Sequence, residues 1–226
     1  MASPAVGVVA RGVVLAHGGN DDGRRFFTSE AADLVARGAA VILLVMQLQL
    51  ESGIEAFAED IRKVVLIERA ALDVLVDWAG APPGELSFLG HSAGGAIGAV
   101  LSAVEPRLAR IGIFGYGSGH LARSAWALEL ANGRIPDEQL AAATDWFDPA
   151  HFVGTDRRAH LFVQHGSRDQ SVPIQDGRAL YEAAASPKSW AEYDWGHDLD
   201  ALPQARNDRA DFIERPSAPQ GTAARP

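Results

Sequence analysis

Three residue types that together activate a hydroxyl nucleophile occur in the chain in the order serine, aspartate, histidine, as Ser92, Asp169 and His197. A serine hydroxyl is a weak nucleophile at neutral pH and needs a base within about 3 Å to take its proton. A histidine can be that base, and a carboxylate fixes the tautomer of the ring and stabilises the imidazolium that forms. The chain therefore carries the groups needed for covalent catalysis by a serine.

Ser92 lies at the centre of a Gly-x-Ser-x-Gly motif at 90–94. The short apolar run 85–89 precedes the motif, and residues 93–104 after it are small and apolar with helical spacing. A strand that turns sharply into a helix at a serine is typical of a nucleophile elbow, in which the serine takes a positive φ and the flanking glycines avoid a clash. The N-terminal end of that helix would direct free N–H groups toward the serine oxygen. We favour this interpretation over a structural turn.

Position relative to the predicted strands indicates which histidine is the base and which carboxylate orients it. His197 follows the last predicted strand in a Gly-His pair, and Asp169 lies in the loop after the preceding strand. Asp194 is closer in sequence to His197 and is the alternative acid. Of the other histidines, His91 adjoins Ser92 and is expected to be packed or partly exposed, and His120 belongs to no motif.

The elements that must position these residues alternate along the chain. Amphipathic helical patterns separate most of a series of short apolar runs, which predict strands at 6–10, 13–16, 39–46, 85–89, 110–114, 159–164 and 189–193. This alternation predicts an α/β fold, with a mostly parallel sheet of about six or seven strands and helices on both faces. Ligands of such sheets bind beyond the carboxyl ends of the strands. The loops predicted at those ends, 17–20, 90–94, 165–173 and 194–198, should therefore meet at one site.

Composition limits the classes of protein. The chain has 226 residues, 47% of them hydrophobic, a formal net charge of -9 and no cysteine. We expect one domain over 1–214 and a flexible tail at 215–226, because the tail is rich in proline, alanine and glycine. The acidic balance argues against nucleic-acid binding, and the sequence has neither a secretory signal nor an apolar run of the roughly 20 residues that span a bilayer. A cytoplasmic protein that does not bind membranes is the simplest expectation, and its oligomeric state is unknown.

Neither a metal nor a cofactor is expected. The histidines lack the spacing of a metal site. The glycine-rich loop at 115–119 lacks the third glycine of a dinucleotide-binding loop, since residue 120 is histidine.

The order serine, acid, histidine is that of the α/β-hydrolases, and from 13 to 214 the chain resembles them, most of all the small dienelactone-hydrolase and esterase-like members. The resemblance rests on His-Gly-Gly-Asn at 17–20, Gly-His-Ser-Ala-Gly-Gly at 90–95, the segment 165–173 and Gly-His at 196–197. It implies that Ser92 is the nucleophile, His197 the base and later the acid, and Asp169 the orienting carboxylate. The implied oxyanion hole is the N–H of Ala93 together with that of Gly19, or else that of residue 18 or 20.

Several features depart from these relatives. Dienelactone hydrolases use a cysteine nucleophile, which here is serine, so serine esterase chemistry is expected instead. The N-terminus is short for the family, which implies a trimmed sheet. Residues 120–147 form either a small helical cap over the site or helices packed on the core. Tyr116, Trp146 and Val172 are candidates to line a substrate pocket.

Three functions remain open on the sequence. The leading one is hydrolysis of a small carboxylic ester or thioester through an acyl-Ser92 intermediate. The second uses the same three residues for a lyase, cyclase or acyltransferase step on a biosynthetic intermediate, because one fold hosts many reactions. The third is a binding protein without catalysis, against which the presence of all three residues argues.

Overall fold

The computed structural model describes residues 8–18, 23–46, 54–123, 144–154 and 159–215, together with residues 139 and 142. Six strands and eight α-helices lie in these segments. The strands are β1 (Arg11–Ala16), β2 (Ala39–Leu44), β3 (Leu86–His91), β4 (Leu108–Phe114), β5 (His160–Gly166) and β6 (Lys188–Tyr193). The helices are α1 (Gly23–Phe26), α2 (Thr28–Ala36), α3 (Ile54–Asp77), α4 (Ala93–Val104), α5 (His120–Arg123), α6 (Ala150–Val153), α7 (Ile174–Ala183) and α8 (Pro203–Glu214). Short 3-10 helices occur at Pro83–Glu85 and Asp145–Phe147.

The six strands form one sheet in the order β2-β1-β3-β4-β5-β6, and every neighbouring pair is parallel. All the carboxyl ends therefore lie along the same edge of the sheet. The loops that follow β1, β3, β5 and β6 hold the sequence-predicted chemical residues, so the topology gathers them at that edge, as the alternating pattern predicts.

Side chains of alternate residues enter two separate cores, because successive strand residues point to opposite faces. In β1, Val14 and Ala16 belong to the core beneath α3, α4 and α7, whereas Val13 and Leu15 belong to the core beneath α2 and α8. Helices thus cover both faces. No described helix is long and apolar enough to cross a membrane.

The α2–α8 face contains a buried ionic group beneath the carboxyl end of β4. Arg209 is fully buried, donates from Nε and Nη2 to the two oxygens of Glu30 at 2.6 and 2.9 Å, and donates from Nη1 to Gln164 at 2.9 Å. Its guanidinium also lies 4.1 Å from the ring centre of Phe114. A buried charge needs such partners, and these contacts join α2, α8 and the middle of the sheet.

The sequence-predicted elements match the structure with three differences. Residues 8–10 form no strand, and Val8 is 95% exposed, while residues 6 and 7 lie outside the described residues. The predicted break before residue 13 is wrong, because Gly12 is inside β1, where a Cβ would lie 2.8 Å from Leu86 Cδ2. The run at 39–46 predicts a strand buried on both faces, but β2 is an edge strand and is half-buried from Ile42 onward.

Most of the predicted cap lies outside the described residues. Of the segment 120–147, the structure describes α5, the 3-10 helix and three single residues at 139, 142 and 144. The cap and the tail at 216–226 therefore stay predictions.

Candidate active site

Ser92 occupies a sharp turn between β3 and α4. Its φ of 53° is the only positive φ among the described non-glycine residues. A Cβ at position 90 would lie 2.2 Å from the Gly94 carbonyl oxygen, and a Cβ at position 94 would lie 2.0 Å from the Ala16 carbonyl oxygen. Both distances are prohibitive, so the turn requires glycine at both positions. The predicted strand–serine–helix geometry is present, with Ser92 directly before the first residue of α4.

The loop after β1 lies against the start of α4. A Cβ at position 18 would be 2.3 Å from the backbone nitrogen of Ala93, so only glycine permits this approach. The first N–H groups of a helix have no partner within it and carry a partial positive charge. The backbone of Gly18 and the N–H of Ala93 are thus adjacent. Gly19 and Asn20, the other candidate donors, lie outside the described residues.

His197 is held by Asp169. The Nδ1–H of His197 donates to Asp169 Oδ2 at 2.7 Å, and the carboxylate is fully buried while the ring is partly exposed. Asp169 Oδ1 accepts the backbone N–H groups of Ser171 and Val172 at 2.8 and 2.9 Å. Burial raises the pKa of Asp169, but these hydrogen bonds outweigh it and hold the pKa below its usual value. The side chain therefore stays a carboxylate at neutral pH.

The alternative acid, Asp194, pairs with an arginine at the surface and not with His197. Its side chain is 85% exposed and pairs with Arg168 at 2.8 Å. Arg168 also donates to the Asp194 carbonyl oxygen at 2.6 Å, so it braces the loop after β6 against the loop that carries Asp169. Of the two candidate carboxylates, Asp169 is the one bonded to His197.

Two other histidines lie near His197 and Asp169; the sequence predicted a local hydrogen bond for His165, but for His91 only that it is packed or partly exposed. His91 is buried, and its Nε2–H donates to the carbonyl oxygen of His197 at 2.9 Å. Its pKa is well below the usual value, first because of burial and then because of the nearby His197, so the ring is neutral. His165 is also buried and donates from Nε2 to the Val172 carbonyl oxygen at 2.9 Å. Both residues fix the loops that hold His197 and Asp169, and their positions at the ends of β3 and β5 were the only signal in the sequence.

Ser92 and His197 open into a common cavity of about 490 Å³. Ala93, Tyr116 and Val172 also line it. The structure does not bring Trp146 to the described cavity wall: this residue is 41% exposed and its ring centre lies 6.3 Å from that of Phe57 and 5.4 Å from that of Phe147.

The cavity also has a polar wall that no sequence motif predicts. It consists of His120 and Arg123 on α5 and Asp176 in the first turn of α7. Arg123 Nη2 donates to Asp176 Oδ1, and His120 Nδ1 lies 3.6 Å from Asp176 Oδ2. These residues come from loops and helices far apart in sequence, so only their place after the ends of β4 and β5 could have suggested them. Nowhere in the described part of the chain do three His, Asp or Glu side chains group as ligands for one metal ion.

Comparisons with solved structures identify the fold. No family model matches the chain, and no curated protein matches it significantly. Acetyl xylan esterase 1 from Thermoanaerobacterium sp. JW/SL YS485 superposes with a TM-score of 0.71 at 16% identity, over 93% of this chain and 76% of that one. The esterase domain of a Rhodothermus marinus protein gives 0.64 at 18% identity, over 93% and 88%. An enol-lactonase from Burkholderia xenovorans LB400 gives 0.62 at 16% identity, over 94% and 95%. The chain has the α/β-hydrolase fold.

Proposed function

We propose that the protein is a serine hydrolase that cleaves a small carboxylic ester or thioester through an acyl-Ser92 intermediate. The observation that carries the proposal is the 2.7 Å hydrogen bond between His197 and the buried Asp169, in a cavity that His197 shares with Ser92. A histidine oriented by a carboxylate, beside a serine on a strained turn, is the arrangement that activates a hydroxyl.

The proposed reaction proceeds in two halves. Ser92 Oγ attacks the ester carbonyl while His197 Nε2 takes its proton, and the oxygen of the tetrahedral intermediate becomes negative. The N–H of Ala93 and a second N–H, from residue 18, 19 or 20, bind that oxygen. His197 then gives its proton to the leaving alcohol or thiol, the acyl-enzyme forms, and a water activated by His197 releases the acid and restores Ser92.

Two features of the site orient the reacting groups in this scheme: the carboxylate of Asp169 and the turn at Ser92. Asp169 keeps the proton of neutral His197 on Nδ1, so that Nε2 is free to accept the serine proton. The positive φ of Ser92 projects its side chain from the turn. Losing one oxyanion donor in such sites typically lowers turnover on the order of 100- to 1000-fold, since donors that are fixed before reaction need no reorganisation.

Two further observations support ester chemistry on a small substrate. The similar solved structures include proteins named as an esterase, an acetyl xylan esterase and an enol-lactonase. The cavity of about 490 Å³ is within the range of small-molecule sites and has Tyr116 and Val172 in its wall. Those two residues stay in the proposed substrate pocket, and Trp146 does not.

Intact-mass spectrometry after exposure to a fluorophosphonate tests the proposal. Wild-type protein should gain one adduct, and Ser92→Ala should gain none while keeping its folded circular dichroism. Ser102→Ala is the matched control, because Ser102 lies on the same helix α4 away from the cavity, and it should label like wild type. An unlabelled, folded wild-type protein would overturn the nucleophile assignment.

Product analysis distinguishes hydrolysis from the other outcomes. With labelling established, a series of esters of increasing acyl length is turned over in water with and without an added alcohol. Free acid as the main product in both conditions supports the hydrolase, since an acyl-Ser92 intermediate passes only a minor share of its acyl groups to a dilute alcohol. A new ester that outweighs the free acid at low alcohol concentration, or a cyclised product, favours an acyltransferase or cyclase and contradicts the proposal.

A further inference from the structure

One carboxylate oxygen in the cavity wall lacks a hydrogen-bond donor. The side chain of Asp176 is 8% exposed, and Arg123 satisfies its Oδ1. Its Oδ2 is buried and makes no hydrogen bond with any described residue. His120 Nδ1 is 3.6 Å from this oxygen, which is longer than a hydrogen bond.

The backbone holds Asp176 firmly in this position. The N–H of Ser118 donates to the Asp176 carbonyl oxygen at 3.0 Å, and a Cβ at position 117 would lie 2.1 Å from the Asp176 carbonyl carbon. The loop after β4 and the first turn of α7 are thus in direct backbone contact. The backbone of Asp176 is therefore fixed, and Arg123 holds the carboxylate through Oδ1. The other oxygen, Oδ2, is a buried acceptor without a donor, which is unfavourable.

The charges of the polar cavity wall favour a substrate group that is itself uncharged. Asp176 and Arg123 cancel, and His120 is neutral because burial lowers its pKa, although Asp176 opposes that effect. An ammonium group would meet the guanidinium of Arg123, and a carboxylate would meet Asp176. A hydroxyl suits both side chains, since it donates to the carboxylate and accepts from the guanidinium.

From this arrangement we infer that the substrate is an ester bearing a free hydroxyl group, which donates to Asp176 Oδ2 and accepts from Arg123. This inference rests on the proposed function and specifies the substrate class of the same site. The hydroxyl belongs either to the acyl part or to the alcohol part of the ester, and the chemistry of its recognition is the same in both cases.

Two series of matched esters test the inference. The first consists of ethyl esters whose acyl chain lengthens by one methylene at a time and ends in a hydroxyl. The second consists of acetates of diols, lengthened in the same way. Each ester is compared with the one of equal length that ends in a methyl group, and the measured quantity is the ratio of the two kcat/KM values. Esters that end in ammonium or carboxylate groups complete the set.

The wild-type ratio should reach about 10- to 100-fold in favour of the hydroxyl at one chain length, the range that a hydrogen bond to a charged group provides. The series in which this occurs shows whether the acyl or the alcohol part carries the hydroxyl. Asp176→Asn should bring the ratio toward one, because the amide can place a donor where the acceptor was. Asp211→Asn, an exposed carboxylate that also pairs with an arginine, is the matched control and should keep the wild-type ratio.

Arg123→Gln provides a second variant should Asp176→Asn fail to fold, since the Arg123 side chain lines the cavity but is exposed to solvent. It too should lower the ratio. Wild-type ratios near one at every length, or a preference for the charged esters, would overturn the inference while leaving ester hydrolysis intact. Absence of fluorophosphonate labelling and of all turnover would instead count against the proposed function.

Discussion

Replacement of Asp169 by asparagine tests how the site sets the proton on His197. Asp169 Oδ1 accepts two backbone N–H groups, at 2.8 and 2.9 Å. In the variant the amide oxygen must keep that position, because an NH2 group cannot accept these bonds. The amide NH2 then faces His197 Nδ1, which must give up its proton to accept. The ring proton moves to Nε2, the atom that should receive the proton of Ser92.

The loss can be bounded from this geometry. The hydrogen bond to a charged acceptor at 2.7 Å contributes about 1.5 to 3 kcal/mol, which alone corresponds to roughly 10- to 150-fold. The wrong tautomer adds to it, and in the serine proteases the same substitution lowers kcat about 10⁴-fold. We therefore expect a fall in kcat of between about 10²- and 10⁴-fold for Asp169→Asn.

The assay compares kcat on an activated acetate ester, and the rate of fluorophosphonate labelling, in three proteins. Wild type is the reference for both rates, and Asp194→Asn is the matched control. Asp194 is an exposed carboxylate that pairs with Arg168, so its replacement should leave both rates within about twofold of wild type. Less than a tenfold loss of kcat in folded Asp169→Asn, or a loss in Asp194→Asn that exceeds the loss in Asp169→Asn, would refute the assignment of the acid.

The same variant tests the depressed pKa of Asp169 through stability. Because the pKa in the folded state lies below its usual value, the stability that the carboxylate contributes is lost only as pH falls below about 4. The difference in Tm between wild type and Asp169→Asn should therefore narrow at those pH values.

Two buried groups provide the remaining predictions. His91→Phe keeps an aromatic ring beside Phe26 but removes the donor to the His197 carbonyl oxygen. We expect kcat to fall about 10- to 100-fold while KM stays within about threefold of wild type, because the base loses its position. An unchanged kcat would contradict the positioning role of His91. Burial raises the pKa of Glu68 to about 8, so the folded state is progressively destabilised as pH rises from the ordinary carboxyl value to that value. Thermal melts of Glu68→Gln should therefore show a gain in Tm over wild type that grows between about pH 5 and pH 8, and a gain that is constant over this range would show that the carboxyl is not buried in neutral form.

Local sequence was sufficient for much of the fold. The apolar runs placed six strands, and α4 begins and ends at the residues that the spacing predicts. The elbow could be predicted because its requirements are short-range: glycine at 90 and 94 prevents clashes with atoms of the turn and of β1. Residues 8–10 form no strand although the apolar run predicted one, because strand propensity does not show whether a partner strand is available. Trp146 does not line the described cavity, and its place in a substrate pocket could not be decided from the sequence because an aromatic residue suits a pocket wall and a packed surface equally.

The sequence by itself determined the chemical order of serine, acid and histidine, and the parallel topology that brings them to one edge. Only the tertiary structure shows that His197 bonds to Asp169 and not to Asp194, because this contact depends on which carboxylate its loop directs inward. The contact of His91 with His197, and the wall formed by Arg123 and Asp176, were likewise decided by packing. These contacts join residues that are tens of positions apart, and no local pattern encodes them. Their geometry follows from how the helices and loops pack at the carboxyl edge of the sheet.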